Sequence, residues 1–425
     1  MNRNRILRRR STSVILAIIG ALALVPGGQA QTKFKTLHTF NVSQGGEVPG
    51  AGLIFDSKGN LYGTTEGVDG KGGTVFKLTA NQDGKWTESI LYSFCSLENC
   101  SDGVGPVAEL IFDQAGNLYG TTAGGGANGW GTVFKLTANP NGSWTETVLY
   151  SFIGGNDGTN PEAGLIFDQA GNLYGTTTYG GSSTDSGTVF ELTPNADGSW
   201  KESILYRFKG FSRDGSNPTA GLIFDGAGNL YGTANEGGNA EAGAVFELTP
   251  HPDGSWKESI LYRFCTLTQC RDGAGPWDSL IFDQAGNLYG TTRGGGNTSN
   301  SAGVVFKMTP SSDGGWNESL LYSFTGGKDG GYPVAGLISD QAGSLYGTTY
   351  YGGDLSRCRG NGCGVVFKLT PNSNGGWKET LIHAFVDQPG AMPFAGLIFD
   401  TAGDLYGTTG GDLVKTHGSV FEITP

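Results

Sequence analysis

AGLIFDQAGNLYGTT, residues 163–177, is the stretch on which the fold turns. Its LYGT core returns with Leu at 61, 118, 173, 230, 288, 345 and 405, at spacings of 57, 55, 57, 58, 57 and 60 residues. A period of that size marks a propeller or a solenoid and outranks local propensity. Around the third copy, four strand candidates follow in order: residues 163–168 (AGLIFD), 172–177 (NLYGTT), 188–193 (TVFELT) and 203–208 (SILYRF). Short turns or a glycine-rich loop separate them, and several are apolar on both faces, as in sheets sandwiched between neighbours. Ile204, Tyr206 and Phe208 are expected on one face at period two.

The chain ends choose between the two architectures. Residues 36–40 (TLHTF) match only the fourth strand of the unit, and residues 419–424 (SVFEIT) match only the third. The last repeat therefore lacks its outer strand, and the first residues supply one. This closes a ring and removes the open edges of a linear array. The expectation is an all-β, seven-bladed β-propeller with four antiparallel strands per blade, a single domain over residues 31–425.

Composition agrees. The 425 residues include 75 glycines, suited to many turns, and 11% aromatics, too many for a disordered chain. Arg3, Arg5, Arg8, Arg9 and Arg10 precede an apolar run from Val14 to Val25, and Gly28, Gln29 and Ala30 resemble a cleavage site. Residues 1–30 read as a signal peptide, with a retained N-terminal anchor as the alternative. Loss of five arginines and no acid takes the formal charge from −12 to −17. Such a chain is expected not to bind nucleic acid or anionic membrane surfaces. With no second long apolar run, it is expected to have no membrane span after signal removal, and to be secreted or periplasmic and monomeric.

The repeat consensus, AGLIFDxxGNLYGTTxxGG…GTVFKLTPxxDGSWxESILYSF, resembles the GloVer (Gloeo/Verruco) tandem-repeat proteins along essentially the whole mature chain. The resemblance implies an exported protein whose relatives differ in how they are anchored, many through a C-terminal sorting tail. Here Pro425 follows a strand directly, which implies release. The FDxxGNLY element is similar, at greater distance, to the inner hairpin of NHL and gluconolactonase-like propellers, which implies that AGLIFD is the innermost strand.

Six cysteines form three pairs of one spacing, Cys95/Cys100, Cys265/Cys270 and Cys358/Cys363. In an exported chain such pairs are expected as disulfides, with metal ligation as the rival. Asp56, Asp113, Asp168, Asp225, Asp283, Asp340 and Asp400 precede the inner turn and read as turn-forming. A second acidic set, Asp102, Asp157, Asp214, Asp272 and Asp329, precedes the innermost strands in DGxxP-like segments. These are expected near one mouth of the channel, either as turn residues or as a ring able to hold calcium. No other cofactor is expected.

Copies two and five break the pattern together. Glu109 replaces the Gly of AGLIF in copy two, and Trp277, Asp278 and Ser279 stand in copy five. Six tryptophans occupy one repeat position, while Trp130 and Trp277 do not. Departures of this kind point to function. Glu109, Trp130, Trp277 and Asp278, extended by Tyr179, Tyr350 and Tyr351, are the expected ligand site. Aromatic rings with carboxylates suit sugars or polar peptides, so an extracellular polysaccharide or protein is the expected partner. No nucleophile elbow, phosphate loop or zinc motif is present. The first reading is a non-catalytic binding propeller. The second is a metal-dependent hydrolase or lactonase using Glu109, Asp278 and the DGxxP aspartates around a channel cation.

Overall fold

Each LYGT segment is the second strand of a four-stranded antiparallel sheet and is buried along its whole length. Seven such sheets follow one another as blades one to seven, each running from the inside of the ring outward. The computed structural model describes residues 32–41, 48–67, 71–210, 214–386, 390–411 and 417–425, and the expected signal peptide lies outside them. Among the described residues there is no α-helix, and no helix is long and apolar enough to cross a membrane.

Blade seven closes the ring as the ends implied. Lys33–Thr39 pairs antiparallel with Ser419–Thr424, which pairs with Leu405–Thr409. The joint repeats the contacts between the other blades. A Thr hydroxyl on each second strand donates to the backbone carbonyl of the next innermost segment, from Thr64 to Ala108 (3.2 Å) and Thr121 to Ala163 (3.2 Å) onward. The last of the series joins Thr408 to Ala51 at 3.1 Å, across 357 residues of chain. An outer Phe of each blade meets the third-strand Phe of the next, as in Phe94–Phe134 (4.8 Å), and Phe40–Phe76 (4.9 Å) does so at the joint.

These threonines explain why the innermost strand is shorter than expected. Only Ile166–Phe167 of residues 163–168 is strand in blade three, because nothing flanks the segment on the channel side. Its start is held by Thr121 of the preceding blade instead of a ladder.

The outer strand, Trp200–Arg207, carries a register shift between Val189 and Phe190, where Val189 faces Tyr206 but Phe190 faces Ile204. The extra residue is a β-bulge, and it swaps faces. Trp200 and Ile204 consequently pack toward blade two, while Leu205 and Tyr206 pack toward blade four. The expected common face of Ile204, Tyr206 and Phe208 is thus corrected, and the bulge lets one strand feed two cores.

The LYGT glycine is fixed by packing. A methyl group on Gly120 would stand 2.7 Å from Cζ of Phe134, which is fully buried. Only a residue with no side chain lets the second strand pass that ring.

Candidate functional site

The blade topology puts the outer-to-inner connections and the loops after LYGTT on one face of the ring. Backbone bridges join them there, including Val104 to Gly124, Thr159 to Tyr179, Ala274 to Gly294 and Gly331 to Tyr351. The inner hairpin turns lie at the opposite end. In blade one, Asp56 accepts from the Lys58 and Asn60 amides (2.9 Å each), the Asn60 side chain (2.6 Å) and the Tyr62 hydroxyl (3.1 Å). The first acidic set is therefore a turn device, as expected.

All seven inner strands surround a central cavity of about 430 Å³. Alternation along the strand sends every second residue into it. In blade three these are Glu162, Gly164 and Ile166, at the mouth, one layer down and at the floor. At the middle layer most blades carry glycine, and blade two carries Glu109. Its carboxylate lies over Gly52, where a methyl group would come within 2.5 Å of Oε1. Glu109 is reachable by water along the cavity yet enclosed by the blades. That enclosure, with the charge of Asp278 added, pushes its carboxyl up to about 7.

Asp278 stands at the alanine position of its blade, and its roles are structural on both ends. Its carboxylate accepts from the Ser279 amide and from the Gly336 amide of blade six, each at 2.6 Å. Its carbonyl accepts from Thr233 of blade four. Burial raises its pKa against those hydrogen bonds, which lower it.

An aromatic ridge borders the mouth. Trp277 meets Phe394 edge-on at 6.5 Å, Phe394 meets Tyr350 at 5.8 Å, Tyr350 meets Tyr351 at 4.6 Å, and Tyr351 meets Tyr332 at 5.5 Å. Phe394 and Tyr332 remain exposed, and the Arg293 guanidinium covers the Trp277 ring at 4.9 Å. Away from the ridge, Glu162 accepts from the Thr178 hydroxyl at 3.1 Å. Burial above all, and the Glu66 charge with it, raises the Glu162 pKa. The side-chain oxygen of Asn235 is buried without a hydrogen-bond partner.

The expected residues are thus divided. Trp277, Tyr350 and Tyr351 share the ridge, and Glu109 and Asp278 share the cavity. Trp130 and Tyr179 are exposed on loops of blades two and three and do not line the cavity. The Trp130 indole lies over Gly154 instead. Sequence reasoning missed Glu162, Arg293, Tyr332 and Phe394. Their signal was available in the columns immediately after LYGTT and before AGLIF, where the seven copies differ most.

The second acidic set is not a ring at the mouth. Each aspartate is turned outward under its own connection and gripped by the outer-strand tyrosine of the preceding blade. Asp102 accepts from Tyr92 (2.9 Å), the Ser96 hydroxyl (2.7 Å) and the Ser96 amide (2.9 Å). Asp157, Asp214, Asp272 and Asp329 accept from Tyr150, Tyr206, Tyr262 and Tyr322. None lines the cavity. Among the described residues no group of three or more His, Cys, Asp or Glu is placed to hold a metal ion. The physical reason is that these carboxylates spend their lone pairs on the turn.

All three cysteine pairs are disulfides, Cys95–Cys100 and Cys265–Cys270 in the connections after blades one and four, and Cys358–Cys363 in a loop of blade six. His383 stacks on Phe34 at 4.1 Å, and burial pushes its pKa down to about 4. It is a packed ring at the position that blades one to five give to tyrosine.

No curated protein matches this chain. The Gloeobacter/Verrucomicrobia repeat matches it twice, over residues 70–270 and 252–425, which together cover most of its length. The chain therefore belongs to the Gloeobacter/Verrucomicrobia repeat family.

Proposed function

We propose that the protein is an exported binding module that takes sugar rings of an extracellular polysaccharide at the aromatic mouth. The observation that carries this reading is the ridge Trp277–Phe394–Tyr350–Tyr351–Tyr332 beside an open cavity. Flat rings cover the apolar faces of sugars, while Arg293 and Glu162 offer a donor and an acceptor to hydroxyls around the same rim. The disulfides fit an oxidising compartment.

Isothermal titration with neutral and amino-sugar oligomers tests it. Trp277→Ala and Phe394→Ala should each weaken binding by about tenfold, the loss of one aromatic face. Lys58→Ala, on the opposite end of the ring, should leave it unchanged. An undiminished affinity in the Trp277/Phe394 double variant would dismiss the mouth as the site.

A further inference from the structure

We propose that the central cavity receives a primary ammonium group, with the Glu109 carboxylate as its counter-ion. This rests on the mouth reading in one respect, since the group enters past the aromatic ridge.

Three observations meet at Glu109. The first is its lack of a partner. Both carboxylate oxygens of Asp278 accept backbone amides, whereas Glu109 makes no hydrogen bond or ion pair with any described residue. The side chain is exposed to the cavity, so its carboxylate can meet an incoming cation directly, with no protein partner to displace. The missing side chains of Gly52 and Gly164 make the room that the Glu109 side chain itself occupies in the cavity.

The second is the sign of the lining. Glu109, Glu162 and Asp278 face or flank the cavity, and no Lys, Arg or His is among its lining residues. Uronic acids, phosphates and other anions meet only like charge there. Arg293, whose guanidinium covers the Trp277 ring at 4.9 Å, stands at the entrance and is not among the residues that line the cavity.

The third is the chemistry of the walls. Ile111, Ile166, Ile223, Ile281, Ile338 and Ile398 form the floor beneath Glu109. A divalent cation such as calcium wants about six to eight oxygen ligands, which this apolar cylinder does not supply. An organic ammonium needs one strong charged acceptor and tolerates apolar contact along its carbon skeleton. Ser279 Oγ, near Gly221 in the same layer, is a further acceptor.

The source of the ammonium is an amino sugar or a simple alkylamine, and the titration separates them. The probes are the β-1,4-linked glucosamine trimer, its N-acetylated counterpart, n-hexylammonium and hexanoate, all near neutral pH. The glucosamine trimer should bind about tenfold tighter than the acetylated one, the contribution of one charge-assisted contact. Hexylammonium should bind and hexanoate should not. Glu109→Gln should abolish hexylammonium binding and remove the preference between trimers, while leaving the acetylated trimer bound. Equal affinity for the two trimers, or a preference that survives Glu109→Gln, overturns the proposal. Glu109-dependent binding of hexylammonium with neither trimer bound would keep the ammonium pocket and remove the sugar-binding mouth. Acetylated-trimer binding that depends on Trp277, with no response to hexylammonium, would do the reverse.

Discussion

Replacing Glu146, Glu202, Glu258 and Glu318 together with Gln should flatten a fall in stability that the native chain shows between about pH 5 and about pH 8. Each of these glutamates follows the outer-strand Trp by two residues and faces the preceding blade. Each has a buried Oε1 with no hydrogen-bond partner. Burial, with a neighbouring aspartate (Asp102, Asp157, Asp214 or Asp272) second, raises every one from 4.5 to about 7. A carboxyl raised in the folded state binds its proton more tightly there than in the unfolded chain. Its stabilisation is complete below the unfolded value and is lost as pH rises through the folded one. The window is therefore about 4.5 to 7, and the native fold should weaken across it. A shift of about 2.5 units is about 3.4 kcal/mol per site. These side chains are only partly buried, so solvent screening is taken to reduce that by somewhat more than half, to about 1.5 kcal/mol. The sites lie in separate blade interfaces and should add, giving about 6 kcal/mol for four. His383, held at about 4, works the other way and loses stability as pH falls below its ordinary value. Comparison of variant with native chain cancels it. Urea unfolding at both pH values is the assay. A variant that gains stability at about pH 8 and none at about pH 5 is expected. Parallel pH slopes for variant and native protein would refute the reasoning.

Gly120→Ala should destabilise by about 1–3 kcal/mol through collision with the Phe134 ring, and pairing it with Phe134→Leu should recover part of that loss in a urea melt. Thr408→Val removes the hydroxyl that reaches Ala51 across the closing joint and should cost about 1 kcal/mol, similar to Thr121→Val between blades two and three. A much larger loss at Thr408 would show that the joint is weaker than the other interfaces. Converting Cys358 and Cys363 to Ser opens a short loop beside the buried core of blades six and seven, and should lower the unfolding free energy by about 2 kcal/mol. Denaturation without reductant reads it, and no change would mean that packing alone holds the loop.

The ring was legible because its code is periodic. LYGT recurs, the chain ends complement one another, and Trp86 and its equivalents start six of the seven outer strands. Periodicity misleads where a local irregularity is itself repeated. The bulge in the outer strand occurs in every complete blade, so Ile204 and Tyr206 looked like one face when they serve two cores. The aspartates of the DGxxP segments carried the right chemistry for a ring of ligands. Sequence does not show that the tyrosine two residues before the last Phe of blades one to five bends over to occupy them. At the mouth, Glu109, Trp277 and Asp278 were visible as departures from the repeat. Phe394 and Tyr332 were not, since they lie 55 or more residues from Trp277 and only the circular arrangement gathers them.

The central claim is that ligand recognition belongs to one end of the ring, over the ridge and down to Glu109. A crystal structure of the protein soaked with the glucosamine trimer tests it most directly. A sugar ring against Trp277 and Phe394 is expected, with an amine within about 3 Å of the Glu109 carboxylate. A trimer bound on the hairpin-turn end beside Asp56, or on the outer strands, would contradict it.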